Sequence, residues 1–153
     1  MGLKLKIDSG YSSDLMVIAI SSLLRDYRIS FFINNILPLR LKKYYDVLGN
    51  HEDTEFNTCF SFYFYNDSDN LTEYYLVSLK DVENFVVNSL KNADYLFIIK
   101  SSVLRVKPEL YIKSLMKIKN VQLAFNVDVK KIKNFDLLLS SFELCIEDCK
   151  REL

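Results

Sequence analysis

The chain has 153 residues, with 20 basic and 20 acidic side chains, one histidine and a formal charge of zero. That length suits one domain with a full core rather than two ordinary ones. The charge balance argues against a dedicated grip on nucleic-acid phosphates, which takes a basic excess. Half of the residues are apolar, among them 11 Phe and 10 Tyr, yet runs such as Tyr95–Ile99 fall far short of the ~18–20 apolar residues of a membrane span.

The N-terminal MGLKLKIDSG lacks the apolar core and cleavage site of a signal peptide. Lys6 stands where a myristoylation signal needs Ser or Thr. Three cysteines, Cys59, Cys145 and Cys149, do not form a secreted disulfide framework, so a reducing, cytoplasmic location is expected. Lys, Asn, Ile, Phe and Tyr are abundant whereas Gly, Ala and Pro are scarce, the mark of an A/T-rich bacterial genome. That bias cautions against reading each lysine or tyrosine as functional.

In chain order, Leu3, Leu5 and Ile7 alternate with lysines as in a half-exposed strand. Met16–Ile20 is the continuous apolar run of a central strand covered on both faces. Ser21 or Ser22 can cap a helix that reaches about Leu37 and stops at Pro38. Its apolar residues form two stripes: Leu23, Leu24, Tyr27 and Phe31 on one side, Ile29, Phe32, Ile33 and Ile36 on the other. A helix apolar on two sides is sandwiched in a core or covered by a partner. A strand over Ile29–Ile33 is the alternative.

An edge strand falls within Leu39–Leu48, and a polar loop occupies Gly49–Thr54. Phe56–Tyr65 places Phe60, Phe62 and Phe64 on one face of a strand, and Ser61, Tyr63 and Tyr65 on the other. A turn at Asn66–Asn70 returns the chain into an antiparallel mate, Tyr74–Leu79. Val82–Leu90 reads as a short helical connector. Strands are predicted at Asp94–Lys100 and Val121–Val129, with a helix over about 108–119 that opens on Pro108. From Phe135, Leu138, Phe142, Cys145 and Cys149 recur at helical spacing. The expected fold is a single-domain α+β sandwich: a largely antiparallel sheet, two or three helices, and a C-terminal β-α-β unit (Tyr95–Val129) like half of a ferredoxin-like layout. Residues 1–134 form the domain, and residues 135–153 an amphipathic tail packed on it.

The segment from Asp14 to Asn34, with Ala19-Ile20, Ser22, Leu24, Asp26-Tyr27-Arg28 and Ile33-Asn34, resembles the start of the IPExxxVDY family, small uncharacterised proteins mainly of Bacteroidota. FSFYFYND, YYLVSLK, DYLFIIK and NVQLAFNVDVKKIKN follow the same layout, so the likeness extends to about Leu139. The signature itself is degenerate. Its Ile-Pro-Glu positions fall on Val87, Asn88 and Ser89 and its Val on Ala93, leaving Asp94 and Tyr95 as matches. The resemblance implies no activity, cofactor or site.

Five residues are candidates for binding: Asp26, Arg28, Asn34, Asp94 and Tyr95. Arg28 suits a carboxylate or phosphate with Asn34 nearby. The competing structural reading puts Tyr27 in the core and ties Asp26 and Arg28 to neighbouring elements. His51-Glu52-Asp53 is too few ligands on one loop for a metal. Cys145 and Cys149, four apart, share a helix face as small core residues. No catalytic residue, metal or cofactor is expected. Tyr63 and Tyr65, with Tyr74 or Tyr75, are a candidate stacking platform for RNA bases, against the favoured reading that places them in the core or at a subunit interface.

Charge is split along the chain: 46–94 carries ten acids and two lysines, and 103–133 eight bases and two acids. The functional expectation is a non-catalytic cytoplasmic interaction protein, self-associating or held in a small complex. The tail is the expected contact, through Leu138, Phe142, Cys145, Ile146 and Cys149. Nucleic acid is disfavoured and no membrane is expected. The alternatives are an RNA-binding accessory protein, using Tyr63/Tyr65 with Lys113, Lys117, Lys119 and Lys130, and a small enzyme or ligand-binding domain with a pocket at Arg28, Asn34 or Asp94.

Overall fold

A computed structural model describes residues 15–47, 60–79, 92–102, 107–132 and 135–151. The expectations for Leu3–Ile7, Gly49–Thr54 with His51-Glu52-Asp53, Cys59 and Val82–Leu90 lie outside them. The described chain is an α+β fold: six strands in one antiparallel sheet and three helices.

The strands are β1 (Leu15–Ser22), β2 (Lys42–Val47), β3 (Phe60–Asp67), β4 (Thr72–Ser78), β5 (Tyr95–Ser101) and β6 (Val121–Val127). They lie in the order β2-β3-β4-β5-β1-β6. The helices are α1 (Asp26–Ile36), α2 (Pro108–Met116) and α3 (Phe135–Arg151). The apolar run of β1 is explained by its place: β5 pairs with it on one side and β6 on the other, and both of its faces are buried. β5 and β6 each run antiparallel to β1, so they are parallel to one another with β1 between them. With α2 as the crossover, this is the split β-α-β unit expected from the last third of the chain.

The sheet separates two cores. On one side Val17, Phe62, Tyr75 and Leu96 meet α3 through Leu138 and Phe142. The Phe142 ring lies 4.5 Å from that of Phe62 and 5.6 Å from that of Tyr75. On the other side Ile18, Ile20, Leu76 and Phe97 are covered by Ile29 and Ile33 of α1 and by Tyr111 and Leu115 of α2.

The start of α1 and the course of β6 differ from the sequence reading. α1 begins at Asp26 rather than after Ser21 or Ser22, because both serines still pair in β1, opposite Leu123 and Val121. The segment Ile29–Ile33 is helical throughout. Strict alternation along Val121–Val129 is broken, since the register shifts at Ser21/Ser22 and leaves Gln122 as an extra residue. That bulge turns Val121 to the α1/α2 side, while Val127 stays on the α3 side. The strand ends at Val127, and a 3₁₀ turn follows at Val129–Lys131.

Candidate functional site

Asp94 and Tyr95 sit at the start of β5 and hold the β1–α1 connection. The Ser22 N–H donates to Asp94 Oδ2 at 2.8 Å, and the Asp94 N–H donates to the Ile20 carbonyl at 2.7 Å. The buried Tyr95 hydroxyl donates to the Leu24 carbonyl. Ser22 completes the clamp: its hydroxyl donates to the Asn120 carbonyl at 2.7 Å and accepts from the Leu24 N–H at 3.1 Å. Asn120 adopts a positive φ of 75°, a conformation asparagine tolerates better than most residues. These groups are mutually satisfied and tie down backbone.

Asn34 acts in the same manner. Its amide accepts from the Leu41 N–H at 2.8 Å and donates to the Leu41 carbonyl at 3.2 Å, so the side chain stands in for a pairing strand ahead of β2. Asp26 accepts from the Tyr63 hydroxyl at 3.3 Å and lies 3.5 Å from the Lys43 ammonium, pinning the start of α1 to β2 and β3. Arg28 is exposed, with its guanidinium 5.7 Å from the Phe32 ring centroid. The five candidates therefore occupy three separate locations besides that of Arg28, and no common site assembles from them.

A cleft of about 920 Å³ opens elsewhere, between the start of β1, the end of β6 and the start of α3. Leu15 and Phe135 give it apolar walls, with Asn126, Asp128, Lys130 and Asp136 as its polar lining. Arg28, Asn34 and Asp94 do not line it, and among the described residues its lining contains no Ser, Thr, Cys or His to serve as nucleophile or imidazole base. Among the described residues no group of three or more His, Cys, Asp or Glu is placed to hold a metal ion.

Three tyrosines of the candidate stacking platform lie in the core, as the favoured reading had it. Tyr63 and Tyr74 are buried under the α1/α2 layer, and Tyr75 lies in the opposite core. Tyr65 and Tyr74 stack on each other, as do Tyr74 and Phe97, so these rings are used inside the protein. The tail as a contact surface is corrected. Leu138, Phe142, Cys145 and Ile146 are all buried against the sheet; the side chain of Cys149 lies outside the described set.

The exposed apolar surface lies on α1 instead. Tyr27, expected in the core, is 59% exposed, and Phe31 one turn later is 60% exposed. Leu23, just ahead of the helix, is 88% exposed. The spacing of four places Tyr27 and Phe31 on one outer line of the helix, opposite the stripe of Ile29 and Ile33 that faces the sheet. The doubly apolar pattern signalled this surface in the sequence; which stripe would stay outside was not visible there. Among the described residues no helix is long and apolar enough to cross a membrane. No family model, curated protein or solved structure matches the chain.

Proposed function

We propose that this chain is a non-catalytic interaction protein of the cytoplasm that docks a protein partner through the outer stripe of α1. The observation that carries the reading is the exposure of Tyr27 and Phe31, one turn apart on the outer face of α1, with Leu23 exposed just ahead of the helix. Scattered exposed apolar residues are ordinary on a protein surface, whereas large aromatic residues exposed on adjacent turns of one helix face are typical of docking sites. The rest of the polar candidates support the same reading, because Asp26, Asn34, Asp94 and Tyr95 are occupied by internal hydrogen bonds. The likeness to the IPExxxVDY family stands as a further proposal and adds no activity to it.

The test is a photo-reactive amino acid at position 27, activated in living cells that express the full chain. The expected result is a discrete protein adduct that disappears when Phe31→Ser and Leu23→Ser are added. Crosslinking that is absent, or indifferent to those substitutions, would overturn the reading.

A further inference from the structure

α1 and α2 cover the same face of the sheet and touch one another, so their outer sides adjoin. On α1 the exposed side carries Tyr27, Arg28 and Phe31, with Leu23 and Arg25 exposed just ahead of the helix. On α2 Lys113 and Lys117 each stand two residues from the buried Leu115, about 200° round the helix, and so face away from the core. Two acids lie on these helices. Asp26 is taken up internally by the Tyr63 hydroxyl and by Lys43, and Glu109 is exposed. With Asp26 set against Lys43, six exposed bases remain against Glu109 among the described residues: Arg25, Arg28, Lys107, Lys113, Lys117 and Lys119. None of the six has an ion-pair partner among the described residues.

We propose that the segment docked on α1 is both acidic and apolar: a stretch of another protein whose hydrophobic side chains cover Tyr27 and Phe31 and whose carboxylates meet the bases of α1 and α2. This rests on the α1 docking reading and gives the chemistry of its partner. A purely apolar contact would leave the surrounding bases unanswered, whereas carboxylates opposite them steer the encounter and fix its register. Arg28 is placed for this. Its guanidinium lies 5.7 Å from the Phe32 ring centroid, a cation–π contact that holds the group beside the stripe while its N–H fork can still take a carboxylate. A single-stranded nucleic acid would answer the bases and stack on the two rings. It offers no aliphatic surface to Leu23, Leu110 and Met116, which are exposed on or beside the same two helices. A protein segment offers both.

The photo-reactive amino acid at position 27 of the full chain tests this, with the crosslinked partner peptide sequenced by mass spectrometry. The expected peptide holds more Asp and Glu than Lys and Arg. Arg28→Glu on α1, and Lys113→Glu with Lys117→Glu on α2, are each expected to lower the adduct yield at least about tenfold. Lys113→Gln with Lys117→Gln is expected to give an intermediate loss, and Lys113→Arg with Lys117→Arg to keep the wild-type yield. All three positions are exposed, so the variants are expected to retain the wild-type circular dichroism and melting temperature. A protein adduct whose yield ignores the charge reversals, or whose peptide is neutral or basic, would overturn the acidic assignment and leave the docking reading standing. An adduct digested by nuclease would overturn it in favour of nucleic acid, and an adduct to phospholipid in favour of an anionic membrane surface. With no adduct from position 27 the docking reading itself falls, and this inference with it.

Discussion

Asp94 and Tyr95 hold backbone: Asp94 takes the Ser22 N–H and Tyr95 the Leu24 carbonyl. Removing the carboxylate strands the Ser22 N–H, and an unpaired, part-buried donor costs ~1–3 kcal/mol. Asp94→Ala is therefore expected to lower the unfolding free energy from urea titration by that amount, with Asp94→Asn recovering most of it because its amide oxygen still accepts. Tyr75 makes a different prediction. Burial above all, then the charges of Glu73 and Glu143, raises its hydroxyl well above the ordinary value of 10. Tyr74 moves the same way, by burial first and then by its hydrogen bond with Tyr111. The folded chain thus keeps protons that the unfolded chain releases above about pH 10. The stabilisation is intact below that pH and is lost as pH rises toward the folded-state values, at about 1.4 kcal/mol per pH unit for Tyr75. Urea midpoints between pH 9 and 11.5 are expected to fall steeply, and Tyr75→Phe to flatten the slope.

α3 and α1 present amphipathic patterns with opposite outcomes. In α3, Phe135, Leu138, Leu139, Phe142, Cys145 and Ile146 are buried. At roughly 1.5–3 kcal/mol for each large side chain, their burial is comparable to the ~5–15 kcal/mol that holds a whole domain folded. Truncation after Asn134 is therefore expected to abolish cooperative unfolding and leave an insoluble or unfolded chain, as read by calorimetry. Phe142→Ala, which empties the space between Phe62 and Tyr75, is expected to cost ~3–5 kcal/mol. On α1 Ile29 and Ile33 face the core while Tyr27 and Phe31 stay outside. Ile33→Ala is expected to cost ~2–5 kcal/mol because Ile33 is fully buried, whereas Phe31→Ser stays within ~0.5 kcal/mol as an exposed change. Equal losses from both in urea titrations would place Phe31 in the core.

Coverage of the sheet on both sides governs the molecule as a whole. β1, β4 and β5 are paired on both edges and buried on both faces. Their amides are expected to exchange with deuterium only on global opening, while the edge strands β2 and β6 exchange earlier. Slower exchange in β6 than in β5 would show that its outer edge is protected by another chain.

Much of the architecture was legible in local chemistry. Met16–Ile20 and Tyr95–Ile99 read as covered strands because only burial on both faces tolerates unbroken apolar runs. Pro108 marked the start of α2 and Pro38 the end of α1, since a proline lacks the N–H that a helix interior uses. The Phe/Tyr alternation of β3 correctly divided Phe62 and Phe64 from Tyr63 and Tyr65. Tertiary packing decided the remainder. Pairing with β6 kept Ser21 and Ser22 extended and postponed α1, and one extra residue at Gln122 reversed the face of Val121. Asp26, Asn34, Asp94 and Tyr95 have the same side chains whether they bind a ligand or close a loop, and only their distances to Tyr63, Leu41, Ser22 and Leu24 assign them to the fold. The two apolar stripes of α1 are near equals in hydrophobicity. The sheet can cover one of them, and that geometric limit leaves Tyr27 and Phe31 outside.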